Sequence, residues 1–299
     1  MPARVHALLV VRPDGRTPAD LHLKRTLAAL EAQTRPLDLL TIVLCGTDAK
    51  VREVAAASGA ESVIAMPRGA GYAESLRAAT VRLDGDAVWL LAQDTAPEPE
   101  ALARLVTTLD SAPSVAVAAP KLVRWADSGR IVSLGVTMTR FGRTVRLAEG
   151  ELDQGQHDAA EDVLGADVRG LLVRADAWRA LGGLDPALVG ADEGLDLSIR
   201  ARLAGARVDL SPTALVAVAG DGVAGVPSSH DALPGMRRAF AVRAAQLHRR
   251  LVYAPAAAVA LHWLSFLPLA LWRTLRDLLT KQPGRIGPEW AAAIVAMCR

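Results

Sequence analysis

Residues Val88–Glu100 read VWLLAQDTAPEPE. The apolar residues from Val88 to Ala92 run unbroken into Gln93-Asp94, and two prolines and two glutamates follow. A short, continuous apolar run fits a strand buried on both faces, so Ala87–Ala92 is expected to be one. Pro97 and Pro99 end it, and the pattern predicts a helix over Glu98–Leu109. The motif is therefore a buried strand that terminates on a carboxylate and hands over to a helix.

The same alternation extends outward. Val5–Val11, Leu40–Leu44 and Ser62–Ala65 are further apolar runs on the N-terminal side, and Val115–Ala119 follows on the other. Between them lie Leu21–Gln33, with Leu23, Leu27 and Leu30 at helical spacing, then Val51–Ser58, stopped by Gly59, and Tyr72–Arg82. Strands separated by single helices cannot be hairpins. The chain thus reads as α/β, a mostly parallel, Rossmann-like sheet flanked by helices on both faces. Such a sheet takes ligands beyond the carboxyl ends of its strands. Chemistry is expected in the loops after Val11, Leu44, Ala65 and Ala92.

The second half is less regular. Ile131–Val145 alternates around Phe141-Gly142-Arg143 as a hairpin would, and Glu149–Glu161 reads as a mobile acidic loop. Leu171–Val173, a helix near Ala175–Ala180, the turn Gly182-Gly183-Leu184-Asp185, a helix over Leu195–Leu203 and two short strands, Arg207–Leu210 and Ala214–Val218, close the domain. The division expected is a body over 1–225 and a helical tail over 226–299.

Charge separates the two. Of 34 Lys/Arg and 32 Asp/Glu, residues 236–299 hold ten and two, which leaves 24 and 30 in residues 1–235. Within the tail Arg237–Arg250 is a basic helix, and Val252–Trp272 is 21 residues without a charge. A helix of that length spans about 31 Å, near the thickness of a bilayer core. Pro255 and Pro268 argue against a straight span. Two readings stand: an in-plane or re-entrant helix pair with Trp263 and Trp272 at the interface, or a buried helical hairpin. A membrane surface is the expected partner of residues 236–299, on the cytoplasmic, inner face of the cell membrane. Nucleic acid is not expected, because the basic residues alternate with apolar runs. The apolar run at Ala291–Met297 reads as the start of a further apolar helix, so the 299 residues are expected to be part of a longer protein. Cys45 and Cys298 have no metal-ligand or disulfide pattern, and the N-terminus reads as a strand, not a signal peptide.

Five segments, in order, resemble family 2 glycosyltransferases of the GT-A fold. Leu27–Thr34 (LAALEAQT) is similar to the family's first helix, and Leu39–Asp48 (LLTIVLCGTD) to its nucleoside-holding strand and turn. Val88–Glu100 resembles the strand that bears the DxD element. Gly170–Asp185 (GLLVRADAWRALGGLD) resembles the GGxD segment, and Ala191–Pro212 (ADEGLDLSIRARLAGARVDLSP) the "ED…DLs.R" segment. The resemblance implies a nucleotide-sugar fold and inverting transfer of a sugar to a polysaccharide or lipid-linked acceptor of the cell envelope. It implies a Mg²⁺ or Mn²⁺ ion that neutralises the diphosphate, and a carboxylate base that activates the acceptor hydroxyl.

Carried onto this chain, the donor side falls on Arg12, Pro13, Gly46, Asp48, Gly69, Gly71, Gln93 and Asp94, with Asp94 as metal ligand or, alternatively, as a helix cap. Asp192 and Glu193 are base candidates or caps of the following helix. Gly183 and Asp185 fall on the acceptor side, where Asp185 also suits the ordering of the turn. Asp196 and Arg200 suit an i,i+4 ion pair. The chain departs from the pattern at Leu44, at Ala92, at Gly194, where the base is expected, and at Val218, where a late histidine is expected. Those departures motivate a second expectation, a catalytically silent binding or scaffold domain. Gly69-Ala70-Gly71-Tyr72 lacks the third glycine of a dinucleotide fingerprint and reads better as a donor-facing loop. No G-x-S-x-G occurs to support a serine hydrolase.

Overall fold

A computed structural model describes residues 3–13, 18–188, 190–219 and 235–298. The loop residues Asp14 and Gly15 and the expected boundary at 225–226 lie outside them.

The chain begins with β1 (Val5–Val11), α1 (Ala19–Glu31), β2 (Leu39–Cys45), α2 (Ala49–Ala56), β3 (Ser62–Met66), α3 (Tyr72–Thr80) and β4 (Ala87–Ala92). β1 pairs in parallel with β2 on one side and β4 on the other, and β3 pairs in parallel with β2. Every residue of β1 and β4 is buried, as the unbroken apolar runs require of strands covered on both faces. The alternate residues of each strand feed two cores. Leu8, Val10, Val88 and Leu90 pack with Tyr72 and Leu76 of α3 on one face. Leu9, Val11, Trp89 and Leu91 pack with Leu23 and Leu27 of α1 on the other. Each buried Leu or Val contributes roughly 1.5–3 kcal/mol of transfer free energy.

Beyond β4 come β5 (Thr95–Pro97), α4 (Ala101–Asp110), β6 (Val115–Arg124), β7 (Asp127–Met138), β8 (Thr144–Ala148), β9 (Leu172–Arg174), α5 (Ala175–Ala180), α6 (Glu193–Leu203) and β10 (Arg207–Val218). The sheet order is β3-β2-β1-β4-β9-β6-β10-β5, with β7 and β8 as a hairpin off β6. The short β9 runs antiparallel between β4 and β6 and joins the parallel half to the rest.

Two expectations change here. The strands read separately at 207–210 and 214–218 are one strand, β10, whose register shifts between Ser211 and Leu215. Pro212 has no N–H to donate, and the shift carries it past the ladder. The acidic stretch expected to be mobile is anchored, because Lys121, buried in β6, donates to Asp153 and Asp158, both at 2.7 Å. An ammonium taken out of water must be paired, and these two carboxylates pair it.

The tail forms α7 (Gly235–Val252), α8 (Ala256–Leu264), α9 (Phe266–Leu279) and α10 (Ile286–Met297). Pro255 stands just before α8, and Pro268 in the first turn of α9, where its missing N–H costs nothing. α8 and α9 meet at a 43° bend; as a pair they are long and apolar enough for a broken span, while no single helix among the described residues is long and apolar enough to cross a membrane. Ala244 and Leu247 of α7 pack against Phe266, Ala270, Ala292 and Ala293, so α7, α9 and α10 share a small core. The outer face of α8 and α9 stays exposed and includes Leu261, Leu264, Leu271 and Trp272.

Candidate active site

The donor-side residues gather where the topology places the ends of β1, β2 and β4. Gln93, 1% exposed, donates from Nε2 to the carbonyl of Arg12 at 3.0 Å, and its own carbonyl accepts from Thr26 Oγ1 at 2.7 Å. It thereby ties the end of β4 to the loop that holds Arg12 and Pro13. Gly46 lies against Arg68, where any side chain would clash. Asp48 caps α2, its Oδ1 accepting from Val51 N at 3.0 Å. Gly69 and Gly71 lie in the loop that opens α3, and Gly71 N–H donates to Glu74. Tyr72, buried, donates its hydroxyl to the carbonyl of Leu91, one residue from the end of β4.

Asp94 is 1% exposed. It does not cap a helix. After Asp94 the chain enters β5, which pairs antiparallel with β10, and α4 begins only at Ala101, with Glu100 at its N-cap and no side-chain cap. Val218, the position where a histidine was expected, pairs with Thr95, and Ala219 N–H donates to the Asp94 carbonyl. Leu44 and Ala92 are core residues.

A cavity is lined by Glu193, Asp167, Arg169, Arg146 and Arg238, with roughly 100 Å³ of space for water. Glu193, the first residue of α6, is 3% exposed. Burial pushes its carboxyl up to about 7, against the pull of Arg12. That value suits a proton acceptor near neutral pH. Asp167 and Arg169 form a tight pair across one intervening residue. Arg169 donates to Asp167 from N, Nε and Nη2 at 3.0, 3.0 and 2.9 Å. Burial alone would raise the Asp167 carboxyl, but the charge and hydrogen bonds of Arg169 outweigh it and hold it below the ordinary carboxylate range. Burial also raises the Tyr72 phenol well above its usual value, and the nearby Glu193, Asp94 and Asp167 charges raise it further. These groups form one electrostatic cluster.

Gly194 explains why the base is not where the family pattern puts it. A Cβ there would lie 2.5 Å from both the Ala166 carbonyl oxygen and the Val168 nitrogen, and 2.8 Å from the Asp167 carbonyl carbon. The backbone that presents Asp167 and Arg169 fills the space a side chain would need, and the neighbouring Glu193 is among the carboxylates that line the cavity.

On the acceptor side the acidic residues are held by α7. Asp192 has φ 55° and makes no cap bond. Its Oδ2 accepts from Arg249 Nη2 at 2.9 Å and from Thr144 Oγ1 at 2.6 Å. Asp185 accepts from Ala187 N at 2.8 Å, which orders the turn, and lies 3.1 Å from His248 Nε2. Asp196 accepts from Arg200 Nε at 2.8 Å and from Tyr253 Oη at 2.6 Å. Gly183 has φ 73° and its carbonyl accepts from Arg200 Nη2 at 2.8 Å. Gly142, φ 75° in the β7–β8 turn, abuts the backbone of Gln246 and Arg250 so closely that any side chain would clash. The tail helix is thus an integral wall of the site. Asp167, Arg169, His248, Arg249 and Tyr253 were not singled out in the sequence; an Arg inside the apolar run 168–173 was the one visible signal.

Among the described residues, no three His, Cys, Asp or Glu side chains converge as a metal site. A Mg²⁺ or Mn²⁺ ion carried by the phosphates of a ligand needs only one or two protein carboxylates, and buried Asp94 at the end of β4 fits as a single ligand of that kind.

A family model described as "Glycosyltransferase like family 2" matches residues 16–259. No curated relative matches the sequence. Among solved structures, GalNAc-T7 with UDP, GalNAc and Mn²⁺ aligns with a TM-score of 0.58 at 13% identity, covering 72% of this chain and 44% of that one. The mannosyltransferase PcManGT from Pyrobaculum calidifontis, in complex with GDP-Man and Mn²⁺, aligns with a TM-score of 0.56 at 14% identity over 100% of this chain and 87% of that one. TarS of S. aureus aligns with a TM-score of 0.52 at 13% identity over 82% and 39%. The chain therefore spans less than half the length of the first and the third.

Proposed function

The chain belongs to the glycosyltransferase-like family 2 and has the GT-A fold, and on that premise we propose that it transfers a sugar from a nucleotide-sugar donor to a cell-envelope or lipid-linked acceptor. The observation that carries the proposal is Glu193, a buried carboxyl facing a cavity with its pKa near 7; the charges of Glu193 and of the strand-end carboxylate Asp94 both act on Tyr72. Ionised Glu193 takes the proton of the acceptor hydroxyl as its oxygen attacks the anomeric carbon and the nucleoside diphosphate departs. A single in-line displacement inverts the anomeric configuration. Asp94 would hold the divalent cation, which supplies charge neutralisation of the departing diphosphate. Gln93, by tying the β4 end to the Arg12 loop, keeps the donor crevice in register.

The exposed apolar face of α8 and α9, flanked by Arg273, Arg276 and Lys281, supports docking on an anionic membrane surface. In this reading the protein works at the cytoplasmic face of the membrane, where a lipid-linked acceptor is within reach.

The second reading is a catalytically silent GT-A domain that binds partners in a membrane assembly. The close packing at Gly194 and the Arg249 contact on Asp192 favour it. Calorimetric titration with UDP-, GDP- and dTDP-sugars, each with and without Mg²⁺ or Mn²⁺, separates the two. Metal-dependent binding of one donor, abolished by Asp94→Ala in a protein of unchanged circular dichroism, is expected for the transferase. No binding of any donor favours the silent domain.

A further inference from the structure

Arg169 is 9% exposed, yet it uses only part of its hydrogen-bonding capacity. A guanidinium carries five N–H bonds in a rigid fork. Nε and one Nη2 hydrogen meet Asp167. The other three make no hydrogen bond to a described residue, and Nη1 is not sealed from the cavity that Arg169 lines. A buried charge on the wall of a cavity, with three donors left unused, suits an anion.

The surroundings identify which anion. The field of Arg169 couples to Asp94 and to Tyr72, and Tyr72 is hydrogen-bonded to the carbonyl of Leu91 at the end of β4. Arg169 precedes Gly170, whose N–H donates to the carbonyl of Leu90 in β4 at 2.8 Å, so it lies near the carboxyl end of the parallel strands, where such sheets take their ligands. The carboxyl groups of Asp94 and Glu193 in the same cluster repel an anion, so a diphosphate needs positive charge at this point. Asp167 fixes the plane of the fork through Nε and Nη2 and leaves both Nη1 hydrogens unengaged.

We infer that Arg169, oriented by Asp167, is a diphosphate-binding residue of the donor site. The inference rests on the nucleotide-sugar reading above and adds a charge that the family resemblance did not supply. It assigns part of the donor's affinity to the protein itself, independent of any cation held at Asp94.

The test is titration of the full chain with UDP, GDP and inorganic pyrophosphate, in Mg²⁺ and in EDTA, with uridine and guanosine as controls. Arg169→Gln alone strands Asp167 in a buried site. It is therefore compared with Arg169→Lys and with the double variant Asp167→Asn/Arg169→Gln, which removes both charges together and keeps the net charge of the site. The expected result is at least a tenfold loss of diphosphate affinity in the double variant, in either medium, with nucleoside binding unchanged. Arg169→Lys keeps a point charge without the fork and is expected to fall between. A loss below threefold in both media, with circular dichroism confirming the fold, overturns the inference alone. If the wild-type chain binds neither nucleotide nor pyrophosphate, the inference and the nucleotide-sugar reading fall together.

Discussion

The end of β4 supplies Asp94 and the acidic stretch 185–196 supplies four more carboxylates, but Asp94 and Glu193 are used differently from Asp185, Asp192 and Asp196. Asp185, Asp192 and Asp196 meet His248, Arg249 and Tyr253, the first two consecutive near the end of α7 and the third just beyond it. Each of these three aspartates is a fastening point for the tail. Asp94 and Glu193 are also buried, and burial is the main influence on the Glu193 proton. The difference teaches that acidity in the sequence does not mark chemistry. A carboxylate paired to a neighbouring helix holds the fold, and one desolvated beside a cavity is poised to react.

The comparison can be broken most directly at Glu193. Glu193→Gln is expected to lower turnover by roughly 10²–10⁴-fold while donor affinity holds. An equal loss from Asp192→Asn, with Glu193→Gln active, would exchange the roles of the two regions. On the fastening side, Arg249 is 1% exposed, and Arg249→Met is expected to cost about 3 kcal/mol in urea unfolding, because it leaves Asp192 half-buried and unpaired. A cost below about 1 kcal/mol would mean that α7 is held by its apolar contacts alone.

Glu193 also predicts a pH dependence of stability. Its folded-state pKa, about 7, lies above the ordinary 4.5, so between those values the native state keeps a proton that the unfolded state has released. Stability therefore falls as pH rises through that window, by up to about 3 kcal/mol, and is level above it. Glu193→Gln removes this slope, and a wild-type unfolding curve that is flat from pH 5 to 8 would contradict the assignment. At the smaller end, His248→Ala breaks a partly exposed pair and is expected to cost only about 0.5–1 kcal/mol. For the outer face of the tail, Leu271→Ala combined with Trp272→Ala is expected to weaken sedimentation with anionic vesicles severalfold. Equal partitioning of wild type and variant would remove the membrane from the proposed function.

The parallel half of the fold was legible because β1 and β4 are buried on both faces, and such strands must read as unbroken apolar runs. The turn at Gly182-Gly183 and the i,i+4 pair Asp196–Arg200 were legible for the same reason, since local geometry imposes a fixed spacing. β9 was harder: three residues carry no period, and their antiparallel place between β4 and β6 depends on partners far along the chain. The Asp167–Arg169 pair lies in irregular backbone, where an i,i+2 contact has no sequence signature. The tail was read by its charge, which suggested a separate element. Its docking depends on small residues, Ala241 and Ala245 against Leu188 and Ala191, which in sequence look like ordinary helix formers.

Gly194 sets a condition on any attempt to rebuild the usual site. Aspartate placed there has nowhere to go, because its Cβ would stand inside contact distance of three backbone atoms of residues 166–168. Those same residues carry the Asp167–Arg169 pair. Position 194 and the 166–168 backbone therefore form a single steric unit: a carboxylate at 194 requires that backbone, and the guanidinium platform it carries, to move.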